Sequence, residues 1–337
     1  MLNRKITGDN DINVLPSTQL FLFDTYVKPI ILHGSEVWSS ANCCNRANIL
    51  NDPHTQNIIH TAVIDKVQTD YCKFILGLGK KASNTATLAE LGRYFLDIEI
   101  KSKIIKFWYR IISLPEDNIL FKSYKTAVEL DDNGFCSWAS TVRLILQNNG
   151  LNHIWLGQTS PDTINIDRLR IDLVTVLQDQ YKQLFNTKIW DDNVGSGTSN
   201  KLCFYRKFKS DYNFEPYLKH VNNFQHRKFL TKLRISNHCL RIETGRYFKE
   251  KRTEKICQIC TTNSVESESH FILHCSAYDQ LRSKFFDILA KFIHNFSLLP
   301  SEVKLKYIID PPKKEIARES AHFIYELFRL RKLKPCI

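Results

Sequence analysis

Residues 166–190 read IDRLRIDLVTVLQDQYKQLFNTKIW. Leu169, Leu173, Val176, Leu177, Tyr181 and Leu184 recur every three or four positions, the spacing that lines up side chains on one face of an α-helix. The same period governs most of what lies on either side. The fold class expected is therefore mainly α: helical bundles, with one short cysteine- and histidine-bearing segment flanked by helices near the C-terminal end.

Working toward the N-terminus, the stretch from Trp138 to Trp155 repeats the helical period. A block from Asp65 to Leu114 begins with one amphipathic helix carrying Val67, Tyr71, Phe74, Ile75 and Leu78, weakened by Gly77 and Gly79. Ser83 or Asn84 suits the N-cap of a short helix through Leu88 and Leu91, which Gly92 closes. A third helix carries Ile100, Ile104, Ile105, Trp108, Ile111 and Ile112 and is stopped by Pro115. Upstream, LFDTYVKPIILHGSEVWS (22–39) is expected to form a helix that breaks at Pro29, and 40–62 a polar loop.

Toward the C-terminus, DDNVGSGTSNK (191–201) is the best linker candidate, being rich in Gly, Ser and Asn. Beyond it, Phe224 to Leu240 reads as a basic amphipathic helix, and helices are expected at Ala277–Phe292 and Ile316–Leu333. No internal repeat is evident.

A chain of 337 residues, 43% hydrophobic and 12% aromatic, can bury a sizeable core, and its length suggests two or three domains. The opening MLNRKITGDNDINVLP has no apolar signal region, and no stretch approaches the roughly 18 uninterrupted apolar residues of a membrane span. No membrane partner is expected. Ten cysteines in a chain of this kind point to reduced thiols, some ligating metal, and hence to an intracellular setting, nuclear or cytoplasmic.

The net charge of +12 is concentrated: residues 201–260 hold 15 Lys/Arg against 5 Asp/Glu. Phe204, Tyr205, Phe208, Phe224, Phe229 and Tyr247 are interleaved with those cations, a mixture suited to neutralising phosphates and stacking bases of RNA or DNA. The candidate contacts are Arg227, Lys228, Lys232, Arg234, Arg241, Arg246, Lys249, Lys251 and Arg252. The competing reading is a soluble basic face whose aromatics are core.

The string CQICTTNSVESESHFILHC places Cys257, Cys260, His270 and Cys275 at gaps of two, nine and four residues. A two-residue gap lets both thiolates turn toward one metal, and the distal His and Cys complete a tetrahedron; zinc, which asks only for four such donors, is the expected cofactor. With all four positions filled by protein, no site remains for a catalytic water. The alternatives are buried thiols beside a satisfied histidine, or His274 in place of His270. Glu266 and Glu268 either orient ligands from behind, balance local charge, or are simply solvated.

Three blocks of this region, HRKFLTKLRISNHCLRIETGRY (226–247), RTEKICQIC (252–260) and VESESHFILHCSAYDQLR (265–282), resemble the C-terminal end of non-LTR (LINE-type, jockey-like) retrotransposon reverse transcriptases. Residues 22–39 and VQTDYCKFILGLGKKASNTATLAELGRYFLDIEIKSKIIKFWYR (67–110) resemble the thumb and following helices of the same elements. The resemblance implies a thumb that cradles a template–primer duplex, and a knuckle that grips RNA or target DNA, its ligands falling on Cys257, Cys260, His270 and Cys275. It divides the chain into a polar leader (1–19), a thumb-like region (20–115), a helical connector (116–190), a linker (191–200), a basic segment (201–256), the CCHC zinc knuckle (257–275) and C-terminal helices (276–337).

The sequence departs from that family where polymerisation would occur. No aromatic-x-Asp-Asp hairpin able to hold two Mg²⁺ is found, and Asp131-Asp132 and Asp191-Asp192 read as turn or loop acids. The expectation is a truncated or domesticated remnant that is not an enzyme on its own, although the parent family is an RNA-directed DNA polymerase. Three other readings are a polymerase module working with a separate catalytic part, an endonuclease built on Asp310-Pro311-Pro312-Lys313 and Glu315, and an interaction module. The last would dock a protein partner on the C-terminal helix through Ile316, Phe323, Ile324, Leu327, Phe328 and Leu330.

Overall fold

The computed structural model describes residues 13–39, 62–158, 161–191 and 200–333. The expected linker lies outside these apart from its ends, as do the polar loop at 40–61 and most of the leader. No sheet strand occurs among the described residues, which are mainly helical. Helices of seven residues or more are α1 (Pro16–Leu22), α2 (Ala62–Leu76), α3 (Asn84–Glu90), α4 (Asp97–Ile112), α5 (Ile119–Asp132), α6 (Trp138–Asn148), α7 (Ile166–Trp190), α8 (Phe224–Arg234), α9 (Asp279–Ala290), α10 (Ser301–Ile309) and α11 (Lys314–Leu333). Among the described residues, no helix is long and apolar enough to cross a membrane.

The chain packs into two compact units that interleave in sequence. One comprises Leu22–Gln68 and Tyr94–Leu184; the other comprises Met1–Phe21, Thr69–Arg93 and Phe185–Ile337. In the first, α4 supplies Ile100, Ile104, Ile105 and Trp108, all buried, at the expected spacing. The Trp108 ring N–H donates to the Tyr124 hydroxyl at 2.9 Å, and Tyr124 in turn donates to Gln158. Buried Asp97 accepts from the Tyr181 hydroxyl at 2.7 Å and from Lys101 at 3.1 Å, so α7 is tied to α4 by a satisfied carboxylate. The N-terminal segment departs from expectation at Pro29. The chain stays helical through a π turn (Phe23–Val27) and Lys28–Ile31, where Pro29 occupies the first turn and needs no N–H partner, and the break comes at Gly34 with φ +63°.

The second unit is built around α3. Ser83 caps it, its hydroxyl accepting from the Ala86 N–H at 3.3 Å, and Ala82, Ala86 and Ala89 pack against Phe185, Ile189, Leu202, Tyr205 and Ile235. Small residues on α3 let these neighbours approach closely. At its end Gly92 has φ +58°, and a Cβ there would lie 2.5 Å from the Phe214 nitrogen, beside the antiparallel bridge between Leu91 and Phe214. The carboxylate of Glu90, fully buried, receives Arg234 from α8 and the Tyr217 hydroxyl at 2.7 Å. Helix α8 packs along α11, which also contacts α9 and α10. The apolar stripe of α11 is core: Ile316, Phe323, Ile324, Leu327 and Phe328 are buried, and Phe323 stacks on Phe285 with centroids 4.0 Å apart. The unit itself covers those five side chains, and Leu330, the sixth of the stripe, is half-buried.

Candidate metal centre

Three local features bring the four expected ligands together. The Cys257-x2-Cys260 segment is one arm of a tight pair of chains: Ile256 bridges Val265, the Cys257 N–H donates to the Ser264 carbonyl at 2.9 Å, and the Glu266 N–H to the Lys255 carbonyl at 2.8 Å. Asn263, at φ +52°, turns the chain between them. This return accounts for the nine-residue gap. A π turn at His270–His274 then carries the imidazole at its first residue and delivers Cys275 just past its last, where the Cys275 N–H donates to the His270 carbonyl at 2.8 Å.

Cys257, Cys260, His270 and Cys275 are all buried, and one ligand atom from each lies within 4.8 Å of every other. Cys260 Sγ is 3.4 Å from His270 Nε2 and 3.1 Å from the Thr262 hydroxyl. The Cys275 thiol, helped by His270, holds Cys257 well below the usual thiol range, so the cluster already favours a thiolate. A set of four converging N and S donors of this kind can hold a metal ion. His274, the competing histidine, is exposed and outside the group. The other described cysteines with free thiols are Cys72, Cys203 and Cys239; Cys136 is disulfide-bonded, so the expectation of reduced thiols does not extend to it.

Behind the cluster stands a charged frame in which Glu266 and Glu268 face local cations, the charge-balancing one of the roles expected of them. Both acids are buried, and neither bonds to a ligand. Glu266 accepts from the Arg241 N–H at 2.6 Å and from Arg331 Nε and Nη2 at 2.8 and 2.9 Å, fastening the metal loop to the last turn of α11. Glu268 pairs with His238 at 3.2 Å. Burial alone would raise its carboxyl; the His238 hydrogen bond and charge bring it below the usual range. Arg282, from α9, donates to the carbonyls of Ile272 (3.0 Å) and Cys275 (2.6 Å), closing the far side. The Phe271 ring packs on Tyr278 and Phe328.

The nine basic residues expected to contact nucleic acid divide sharply. Arg227 and Arg234 are core, contrary to that expectation. Arg227 is 1% exposed and donates to the carbonyls of Val221, Asn222 and Val14; burial lowers it to about 10. Arg234 is fully buried, forked onto Glu90 and Glu215, with Nη1 donating to the Ile309 carbonyl at 2.7 Å. Burial opposes its charge, but the two carboxylates more than offset that and raise it above the usual arginine value. Lys228 and Lys232 are half-buried over the rings of Phe224 and Phe229. Arg241 pairs with Glu250 and Arg246 with Glu243. Lys249, Lys251 and Arg252 are exposed. Among the interleaved aromatics, Phe204 and Tyr205 are buried, Phe208, Phe224 and Phe229 partly so, and Tyr247 is exposed.

The acid groups weighed for catalysis are accounted for in part. Asp131 and Asp132 end α5 rather than lying in a turn, and Arg143 grips Asp131 through Nε at 2.6 Å and Nη2 at 2.8 Å. Asp310 lies 3.8 Å from Arg234. No family model matches the chain, and no curated protein or solved structure matches it either.

Proposed function

We propose that the four-residue cluster holds one Zn²⁺ and that the chain acts by binding RNA or DNA, as the thumb, connector and knuckle part of a non-LTR retrotransposon reverse transcriptase would. The observation that carries this reading is the convergence of Cys257, Cys260, His270 and Cys275 inside 4.8 Å. Zn–S bonds of about 2.3 Å in a tetrahedron put neighbouring donors roughly 4 Å apart, so a small contraction completes the site. Three soft thiolates with one imidazole favour zinc over harder cations, and a site closed by four protein ligands has a structural role.

Exposed Lys249, Lys251 and Arg252 immediately precede the first ligand pair and supply the phosphate-facing charge, while the pairing of Asp131 with Arg143 and the closed ligand set both speak for binding rather than catalysis. The resemblance quoted above supplies the rest. The test is direct. Purified protein is expected to contain one zinc per chain by elemental analysis and to bind labelled RNA or DNA with an affinity that falls steeply as salt rises. Cys257→Ser with Cys260→Ser, or a chelator, should lower both zinc content and affinity; binding that ignores both would remove the cluster from the function.

A further inference from the structure

Between the Arg241–Thr244 helical turn and the metal loop, the chain forms a loop from Gly245 to Arg252 that lifts two aromatic rings out of the fold. Tyr247 is 66% and Phe248 70% exposed. The loop is nonetheless fixed: the N–H groups of Arg246, Tyr247, Phe248 and Lys249 donate in succession to the carbonyls of Glu243, Thr244, Gly245 and Arg246, and the Glu250 N–H returns to Gly245 at 3.1 Å. Gly245 is required there, because a Cβ would sit 2.9 Å from the Arg241 carbonyl oxygen.

Each exposed ring has a cation over it, Lys81 at 4.9 Å from the Tyr247 centroid and Arg241 at 5.6 Å from that of Phe248. Lys249, Lys251 and Arg252 stand exposed alongside. The two ends of the loop, Arg246 and Arg252, both line a cleft of about 500 Å³. Its walls include Trp190, 61% exposed with Arg206 at 5.0 Å from its ring, together with Lys207 and Ser267. Of the carboxylates lining the cleft, Glu243 is paired with Arg246 and Glu268 with His238, and Glu302 is exposed.

We propose that this loop and cleft take an unpaired stretch of nucleic acid, with bases stacked on Tyr247 and Phe248, phosphates along Lys249, Lys251 and Arg252, and one nucleotide turned into the cleft against Trp190. The inference rests on the reading that the chain binds nucleic acid and adds the strand state. In a duplex the faces of the bases are covered by their neighbours, so two protruding rings have nothing to stack on; in a single strand every base offers a face. A cleft of this volume lies in the range of small-ligand pockets, the size of one nucleotide rather than of a helix.

The experiment uses the full chain, zinc-loaded, with fluorescently labelled oligo-uridine, oligo-thymidine and a mixed-sequence DNA duplex in anisotropy titrations. Tyr247→Ala with Phe248→Ala should weaken single-strand binding by about 5- to 150-fold per lost stacked base, leave duplex binding within about two-fold, and leave zinc content unchanged. Tyr247→Phe with Phe248→Tyr should retain wild-type affinity. Quenching of tryptophan fluorescence by the single strands should diminish in Trp190→Phe. The two single-stranded arms separate RNA from DNA as the source of the strand. Equal losses on single strand and duplex, or no loss on either, would overturn the proposal while nucleic-acid binding stands; wild-type protein that binds none of the three probes would instead overturn the functional reading beneath it.

Discussion

Replacing Glu266 with Gln keeps the shape of the side chain, removes its charge, and should cost about 3–5 kcal/mol of stability. The carboxylate side chain is 2% exposed and that of Arg331 15%, so solvent screens the pair little. Three donors converge on it, the Arg241 N–H and two guanidinium nitrogens, all within 2.9 Å. A Gln oxygen can still serve the Arg241 N–H, but the amide NH₂ then faces a guanidinium that has only donors to offer. The loss should fall toward the lower end, about 3 kcal/mol, because Arg331 sits in the last turn of α11 and can swing its charge toward water. Urea denaturation of the zinc-loaded protein, followed by circular dichroism, reads this as a lower midpoint at unchanged slope. Arg331→Met should relieve the variant: the double mutant is expected to be more stable than the sum of the single losses allows, by about 2 kcal/mol. A loss under about 1 kcal/mol for Glu266→Gln, or additive losses in the cycle, would refute the view that this pair fastens the metal loop to α11.

Arg234→Lys should destabilise by about 3 kcal/mol or more, because a point charge cannot fork onto Glu90 and Glu215 while also reaching the Ile309 carbonyl; a midpoint within error of wild type would refute its role as a core cation. The Arg143 hydrogen bonds hold the Asp131 carboxyl below its ordinary value, so their contribution is complete above roughly pH 4 and drains away as pH falls through the lower folded value. Asp131→Asn should therefore lose about 1 kcal/mol at neutral pH and progressively less as pH falls below about 4, and a difference that stays the same size across that range would contradict the assignment. Gly92→Ala meets the Phe214 nitrogen at 2.5 Å and the Asn213 carbonyl carbon at 2.9 Å with φ at +58°; both neighbours are backbone and cannot turn aside. A thermal midpoint lowered by several degrees, the equivalent of about 1–2 kcal/mol, is expected, and an unchanged midpoint would count against the close approach.

Much of the helical layout was legible because burial on one face leaves a period in the sequence. Helix α7 runs from Ile166 to Trp190 as its apolar spacing indicates, and the cap at Ser83 is where hydroxyl chemistry puts it. The ligand set was legible because donor types and gaps restrict it. Charge counting failed for a reason the sequence also contains. Arg227 and Arg234 are separated by seven residues and share a face with Leu230 and Thr231, which is the buried stripe of α8; reading the cations by helical phase would have set them apart from Lys228 and Lys232. The meeting of Arg234 with Glu90 was beyond reach, since the two are 144 positions apart and no local pattern signals it. The same applies to Glu266 and Arg331, 65 positions apart. The continuation of helix through Pro29 was missed because Pro29 falls in the first turn after a π turn, where its missing N–H costs nothing.

The metal loop is not a finger standing alone, and that changes what a metal does there. In an isolated knuckle, the binding free energy of about 10–16 kcal/mol is also the folding free energy, since nothing else orders so short a segment. Here the segment is held from three other directions: by Glu266 on Arg241 and Arg331, by Arg282 on two loop carbonyls, and by Phe271 in the aromatic contact with Phe328. A metal binding to a site already so constrained orders less chain and spends more of its free energy on fixing the ligands themselves. Its effect would extend to the surface beyond. The Ile242 N–H donates to the Glu266 carbonyl at 3.2 Å and Lys255 Nζ to the Ile242 carbonyl at 3.2 Å, so the segment that ends in the Tyr247–Phe248 loop hangs from the same bridged segments that carry Cys257. A metal that orders the four ligands would therefore also steady the two exposed rings, and through Arg331 and Arg282 it would bear on α11 and α9 as well, while the Arg234 network and the α8–α11 contact add ties of their own.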